Sequence, residues 1–351
     1  MHITGHAPGR IALLGSGETS LAGGRVFESL ARVLPTPLRV AVLETPAGFE
    51  LNSDRVAGRV ADFLAVRLQN YRPQVIVISA RARGTRFSPD DPALTEPLLH
   101  VDLTFMGPGS PTYAVRQLRD SLAWARMIAR QRIGATLAFA SAAVVAISAY
   151  ALPVYEIYKA GHDLHWQLGL DLFGPYGLKL VFVPHWNNAE GGAELDTSRC
   201  FMGRARFEVL RAMLPADATV VGIDEHTALA VDLADGTAQV MGAGDVTVLS
   251  RDAERVFSAG DRFSLAEFGP FTWPAPEAGL PPGAWAEALA AHEADHAAPA
   301  PSAEVLALVA EREAARRRRD WAAADALRTR IAALGWQVQD TPEGPQCVPV
   351  T

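Results

Sequence analysis

Short apolar runs alternate with longer amphipathic stretches from residue 11 onward, and this alternation predicts most of the architecture. Candidate strands are Ile11–Leu14, Val40–Leu43, Val75–Ile78, Leu103–Met106, Thr136–Phe139 and Leu180–Val183. Helical periodicity between them covers Gly24–Val33, Asp54–Leu68 and Tyr113–Arg130. Near-continuous apolar strands separated by helices predict a doubly wound α/β fold, a mostly parallel sheet covered on both faces. From Thr219 the texture changes to short strands, Thr219–Ile223, Ala228–Val231, Ala238–Val240 and Val246–Leu249, punctuated by Asp235-Gly236 and Ala243-Gly244. Such turns between short strands predict an antiparallel extension at one edge of the same sheet.

A composition break follows. Gly269 to Pro301 holds seven prolines (270, 274, 276, 281, 282, 299 and 301), a density that resists regular structure and predicts a semi-rigid linker. Beyond it, Ser302 caps a predicted helix to about Arg319, and a second, about Trp321 to Leu334, closes at Gly335. Their expected seam is Leu306, Val309, Leu327, Ile331 and Leu334. The expected organisation is an α/β domain over 1–268, a Pro/Ala-rich linker over 269–301, and a small helical hairpin subdomain over 302–351.

Composition narrows the function classes. With 49% hydrophobic and 20% charged residues, the chain reads as globular, large enough to bury one large core or two smaller ones. No apolar run reaches the ~20 residues that a bilayer span needs, and Met1–His6 lacks the basic and apolar regions of a signal peptide. Cys200 and Cys347 give no metal or disulfide spacing, so a reducing cytoplasm is the expected location. A net charge of −7 argues against a broad nucleic-acid surface.

The chemistry concentrates after the predicted strands. In Thr136-Leu-Ala-Phe-Ala-Ser141-Ala-Ala-Val-Val145 an apolar run ends in a serine followed by small residues at helical density. A strand–turn–helix of this kind exposes a serine hydroxyl and aims the following amides at any oxyanion it creates. On spacing alone Ser141 reads as an ordinary small residue after a buried strand, so a nucleophilic role depends on its partners. The candidate base is His185, in Val183-Pro184-His185-Trp186-Asn187-Asn188, directly after a strand. A candidate acid is Asp224 or Glu225; adjacent residues at a strand end face opposite ways, so only one can reach a given histidine. The loops after Leu14 (Gly15-Ser16-Gly17) and after Met106 (Gly107-Pro-Gly109-Ser110) fit no phosphate-binding pattern, and Gly107 and Gly109 are candidate oxyanion donors. Asn187 and Asn188, and also Tyr155, Tyr158, Lys159, His165 and Trp166, are candidate pocket residues. Cys200 is the lesser candidate for a nucleophile.

In their order along the chain these pieces resemble the dipeptidase E/cyanophycinase serine peptidases, which have a class I glutamine amidotransferase-like fold. The resemblance covers about residues 10 to 250. It rests on Gly107-Pro-Gly109-Ser110-Pro-Thr112, Ala140-Ser141-Ala142, Pro184-His185, Gly203-Arg204 and Gly222-Ile-Asp224-Glu225-x-Thr-Ala228. It implies Ser141 as nucleophile, His185 as base, and Glu225 rather than Asp224 as the orienting acid. It further implies the amides of Gly109 and Ala142 as oxyanion donors, Ser110 at the substrate site, a small peptide or amide substrate with an acidic residue, and no metal or organic cofactor. The elbow departs from the family's Gly-Thr-Ser-Ala-Gly, because Phe139 and Ala143 stand where glycines are usual. A catalytically inactive binding or regulatory protein on the same fold is the alternative. A homo-oligomer is open.

A second resemblance lies in the tail. Asp320-Trp-Ala-Ala-Ala-Asp325-Ala-Leu-Arg328, Leu334-Gly335 and Asp340-Thr-Pro-x-Gly344 are similar to the C-terminal helical subdomain of cysteinyl-tRNA synthetases. None of a synthetase catalytic domain accompanies it, which excludes aminoacylation. Seven arginines against five acids over 303–334 make a modest basic face, expected to meet solvent, RNA or a protein partner.

Overall fold

The computed structural model describes residues 6–251, 253–297, 301–341 and 344–350. Residues 1–5 and 252, residues 298–300 of the expected linker, and Pro342, Glu343 and Thr351 of the tail lie outside the described residues. The chain divides into two compact units, 1–292 and 293–351.

In the first unit, besides a short antiparallel pair Tyr150–Ala151 and Gln167–Leu168, the strands are β1 (Ile11–Leu14), β2 (Arg39–Leu43), β3 (Gln74–Ile78), β4 (Leu103–Met106), β5 (Thr136–Ala140), β6 (Leu180–Val183), β7 (Thr219–Ile223), β8 (Thr227–Asp232), β9 (Thr237–Gly242), β10 (Asp245–Leu249), β11 (Glu254–Ser258) and β12 (Arg262–Ser264). The helices used below are α1 (Leu21–Ala31), α2 (Ser53–Arg67), α3 (Pro111–Leu118), α4 (Leu122–Arg132), α5 (Ala142–Ala146), α6 (Val154–Tyr158), α7 (Gly203–Ala212) and α8 (Ala284–His296). The main sheet has the order β12-β9-β8-β1-β5-β4-β2-β3. Its five central and outer strands from β1 to β3 pair in parallel. β1, β4 and β5 are buried along their whole length and read as near-continuous apolar runs because both faces are covered, whereas the edge strand β3 leaves Ile76 and Val77 exposed.

Period-two alternation assigns those faces. Leu137 and Phe139 of β5 join Leu13, Met127 of α4 and Val144 of α5 in one core. Ala138 and Ala140 face the other side, with Phe27 of α1 and Val60 and Leu64 of α2. The expected doubly wound, mostly parallel architecture is therefore present.

The antiparallel strands divide between two sheets, which corrects the expectation of one extended edge. β8 pairs with β1 and carries β9 and β12 onto the main sheet. β6 instead pairs in parallel with β7, and β10 and β11 continue that second, four-stranded sheet. Local apolar patterning is the same in either sheet; only the long-range pairing differs. Phe182, Val221 and Val246 of the second sheet share one core with Leu137 and Phe139 of β5.

Two further expectations are corrected in this unit. The helix expected over Tyr113–Arg130 is two helices, because Asp120 adopts a left-handed φ of 57° and Ser121 caps α4 by accepting the Trp124 amide. The expected linker contains α8. Its prolines flank an Ala/Glu-rich stretch instead of interrupting it, and Pro281-Pro282 lies just before the start, where proline is tolerated. Ala288 and Trp285 of α8 pack with Leu99, Ala129 and Ile133. Arg126, buried on α4, holds Glu287 and also donates to the Pro92 carbonyl and Thr95 hydroxyl.

The second unit is a helical pair, α9 (Ala303–Arg317) and α10 (Trp321–Ala333), covered by a hairpin of β13 (Trp336–Thr341) and β14 (Gly344–Pro349). Ser302 caps α9 through the Val305 amide, and Gly335 takes a left-handed φ of 83° after α10. Val305, Leu308, Val309, Ile331, Trp336 and Val338 form the core, with Leu327 packed against it. Leu306 and Leu334 of the expected seam are exposed. The hairpin explains the shift, since Trp336 and Val338 draw the buried helix face toward themselves. Arg312 is buried and bound through both terminal nitrogens to Asp340, which also takes Arg316. The hydrogen bonds from Arg312 and then Arg316 lower the Asp340 carboxyl to about 2. No helix among the described residues is long and apolar enough to cross a membrane.

Candidate active site

Ser141 stands between β5 and α5 with φ 52° and ψ −115°. A non-glycine residue in this region costs about 1–3 kcal/mol, and the surroundings must impose it. They do: the Ser141 amide donates to the Leu14 carbonyl, and the amides of Val144 and Val145 donate to the Ser141 carbonyl. Phe139 does not crowd the turn. Its ring is fully buried two residues earlier, under the sheet, with its centroid 6.5 Å from that of Trp124. The turn itself is flanked by Ala140, Ala142 and Ala143.

His185 and Glu225 come from the second sheet, after β6 and β7. The Ser141 Oγ–H donates to His185 Nε2 at 2.9 Å, and His185 Nδ1–H donates to Glu225 Oε1 at 2.9 Å. A carboxylate only accepts, which fixes the imidazole proton on Nδ1 and leaves Nε2 to accept from the serine. Burial pushes the Glu225 carboxyl up, yet hydrogen bonds from Asn188 and His185 outweigh it and hold the carboxyl below its ordinary range. His185 also has a left-handed φ, 51°. Its carbonyl accepts the amides of Asn188 and Cys200, while the Trp186 amide donates to the Ile223 carbonyl at the end of β7. Gly222 permits this join, because a Cβ there would lie 2.3 Å from the Trp186 ring.

Asn187 and Asn188, expected to line the pocket, serve the acid instead. Asn188 Nδ2 donates to Glu225 Oε1, and Asn187 Oδ1 accepts the Glu225 amide. Asp224 faces away and accepts the Asp245 amide. Burial raises its carboxyl above the ordinary value. The two adjacent acids therefore separate as strand geometry requires, and Glu225 is the one on His185.

A cleft of about 360 Å³ opens at Ser141, lined among others by Gly109, Ala142, Tyr155, Tyr158, Lys159 and Phe201. Gly109 has φ 145°, and a Cβ on it would meet the Pro46 carbonyl oxygen at 2.0 Å, so only glycine fits. Gly107 is not on this cleft; it lines a small separate cavity with Val42 and Phe105. Ser110 caps α3 through the Tyr113 amide and is buried. Trp166 is tied to the Leu210 carbonyl, away from the cleft, and His165 bonds back to the Asp163 carbonyl. The loop after β1 is a structural turn whose Ser20 caps α1.

Cys200 lies on the cleft, but burial and then the nearby Glu225 charge push its thiol up to about 12. It holds no reactive thiolate at neutral pH. Its backbone carries no compositional mark: Arg199, Cys200 and Phe201 have φ of 58°, 57° and 68° in succession. This run sets Arg199 3.7 Å over the Trp186 ring, with a hydrogen bond to the Trp186 carbonyl, and brings Phe201 to the cleft beside His185.

A solved peptidase from an acI-B1 Actinobacterium shares the fold, with a TM-score of 0.58 and 20% identity over 75% of this chain and 100% of that one. A putative peptidase E protein from Listeria monocytogenes aligns at a TM-score of 0.43 and 14% identity over 72% of this chain and 100% of that one. Residues 298–347 match the cysteinyl-tRNA ligase anticodon binding domain. The cysteine–tRNA ligases of Methanosarcina mazei and Rubrobacter xylanophilus are 56% and 54% identical over 43 and 50 residues, 12% and 14% of this chain. The matched segments span 9% and 10% of those ligases, so this chain covers about a tenth of their length. The chain thus joins an α/β unit with the fold of a solved peptidase to a tail similar to a tRNA-ligase domain.

Proposed function

We propose that the first unit is a serine-dependent hydrolase of a small peptide or amide. The observation that carries this reading is the continuous hydrogen-bonded line Ser141–His185–Glu225 beginning at a strained strand–helix turn. Ser141 Oγ attacks the substrate carbonyl as His185 Nε2 takes its proton, and the bond to the leaving amine breaks when Nε2 returns that proton to the nitrogen. Water then attacks the acyl-enzyme with His185 again as base. Glu225 keeps Nδ1 protonated and stabilises the imidazolium, while the Gly109 and Ala142 amides supply the oxyanion donors. The common fold with a solved peptidase supports the class. The burial of Phe139 favours this reading over an inactive binding protein, since the bulkier of the two residues that depart from the family's elbow leaves the turn clear.

A fluorophosphonate probe read by intact mass tests the reading. Wild type is expected to take one label, and Ser141→Ala and His185→Ala none. A folded wild type that takes no label, or a label that survives Ser141→Ala, sinks it.

For the second unit a separate reading follows from the ligase similarity: a tRNA contact made by the exposed arginines 317, 318, 319, 328 and 330. Arg312 and Arg316 are engaged by Asp340, so the basic face is smaller than the sequence count. Full-length protein is expected to bind tRNA with an affinity that falls as salt rises, and a chain ending at His292 to lose that binding. Equal binding by both ends the idea.

A further inference from the structure

We infer that the buried ion pair between Glu44 and Arg81 is a positioning element for the oxyanion donor Gly109. This rests on the serine-hydrolase reading above and adds to it two residues that do not themselves line the Ser141 cleft.

Glu44 follows β2 directly, and its side chain is fully buried. Its Oε1 lies 2.8 Å from Nε of Arg81, a partly exposed residue after β3. Among the described residues neither carboxylate oxygen has a hydrogen-bond donor. Burying charges in this way costs desolvation, and a well-packed apolar pair of similar volume is often as stable or more so. Stability is therefore a poor account of the pair, and what it holds in place is a better one.

The pair holds the turn Thr45–Ala47. The Pro46 carbonyl of that turn accepts the Ser110 amide at 2.9 Å, and it is the atom against which a Cβ on Gly109 would press. The turn after Glu44 thus sets where Gly109 and its donor amide lie. On the other side of the pair, the backbone of Arg81 carries two more contacts. Gly48 packs on it so closely that a Cβ there would lie 2.8 Å from the Arg81 Cα, and the Arg81 carbonyl accepts the Tyr113 hydroxyl at 2.9 Å. Tyr113 stands in the first turn of α3, which Ser110 caps. The Thr45 hydroxyl adds a bond to the Ala80 carbonyl. Glu44 and Arg81 therefore tie the ends of β2 and β3 to the loop after β4. Because these strands run parallel to β5, all three ends lie on the side of the sheet that carries Ser141.

Charge explains why both partners are needed. Glu44 lines the same small cavity as Gly107 and Pro108, the two residues before the donor. A carboxylate left alone there would oppose the oxyanion that the loop receives, and the Arg81 guanidinium cancels it.

The test is the kinetics of fluorophosphonate labelling, in which the phosphoryl oxygen takes the oxyanion position. The maximal rate is separated from the half-saturating probe concentration, and melting temperatures are read alongside. Arg81→Met is expected to melt lower and to label roughly tenfold more slowly at saturation, since it leaves the carboxylate buried and unpaired. The double variant Glu44→Leu, Arg81→Met removes both charges. It is expected to recover the melting temperature yet stay roughly tenfold slow at saturation, with half-saturation unchanged and one label per chain. Glu44→Gln, which keeps the shape, is expected to fall between wild type and the double variant. A double variant whose labelling rate recovers together with its melting temperature overturns the inference, because the pair would then be structural only. So does Glu44→Gln labelling as fast as wild type, which decides the matter if the double variant does not fold. A wild type that takes no label overturns the serine chemistry itself, whereas these outcomes with a labelled wild type overturn the positioning role alone.

Discussion

Ser141→Ala is expected to lower kcat/KM by about a million-fold, His185→Ala by nearly as much, and the double variant by no more than either alone. The reason lies in the coupling of the two groups. The hydroxyl is a poor nucleophile until Nε2, 2.9 Å away, accepts its proton. With the serine gone the base has nothing to activate, and with the base gone the serine is inert. Steady-state rates on a cleaved peptide check this, and additive losses would mean that the two side chains do not act as a unit. Residual activity in each variant would report the Gly109 and Ala142 amides stabilising the oxyanion formed as water attacks the bound substrate. Melting curves should move little, because the strained turn is held by backbone bonds to Leu14, Val144 and Val145 that alanine preserves.

The second large effect is expected at Glu225. Glu225→Gln should cost about a thousand- to ten-thousand-fold in kcat/KM with little change in KM. An amide can present its NH2 to Nδ1 and thereby select the wrong imidazole tautomer, whose Nε2 carries the proton and cannot accept from Ser141. The pH dependence separates this acid from the base. Glu225 is held below its ordinary value, so it stays ionised through the usual carboxylate range. Its contribution to stability is present above that ordinary value and is lost only as pH falls through the lowered one. The acid limb of a wild-type pH–rate profile should therefore not belong to Glu225, and Glu225→Gln should lower the plateau. A limb that vanished in Glu225→Gln would assign that ionisation to the acid and contradict the scheme. Asn188→Ala should show a weaker form of the same loss, since the Asn188 side chain helps hold Glu225 while its contact with His185 is a backbone bond that alanine keeps.

Much of this was legible in the sequence, and the reasons are local. The strands Ile11–Leu14, Leu103–Met106 and Leu180–Val183 carry near-continuous apolar runs because both faces are covered, so pattern alone bounds them. Ser302 and Gly335 mark helix ends through side-chain oxygen and left-handed backbone, which are properties of the residue type. Ser141, His185 and Glu225 each follow a strand, and the alternation of strand-end residues already limited the acid to one of two neighbours.

What required the tertiary structure was everything that depends on long-range pairing. No local signal separates a strand that joins β1 from one that joins β6, so the second sheet was invisible, and with it the route that brings His185 to Ser141. Asn187 and Asn188 look like pocket residues by position; their role on Glu225 exists only once β6 and β7 lie side by side. Phe139 looks obstructive in a string of letters, yet strand alternation turns its ring into the core beneath the turn. The successive left-handed residues Arg199, Cys200 and Phe201 have no compositional mark, because the conformation is imposed by bonds to His185 and Trp186. Local residue type and pattern settle which groups are available and where most of the strands lie. Packing of one sheet on the other decided which of them meet, because hydrogen-bond geometry at 2.9 Å is set by the whole core and not by any one segment.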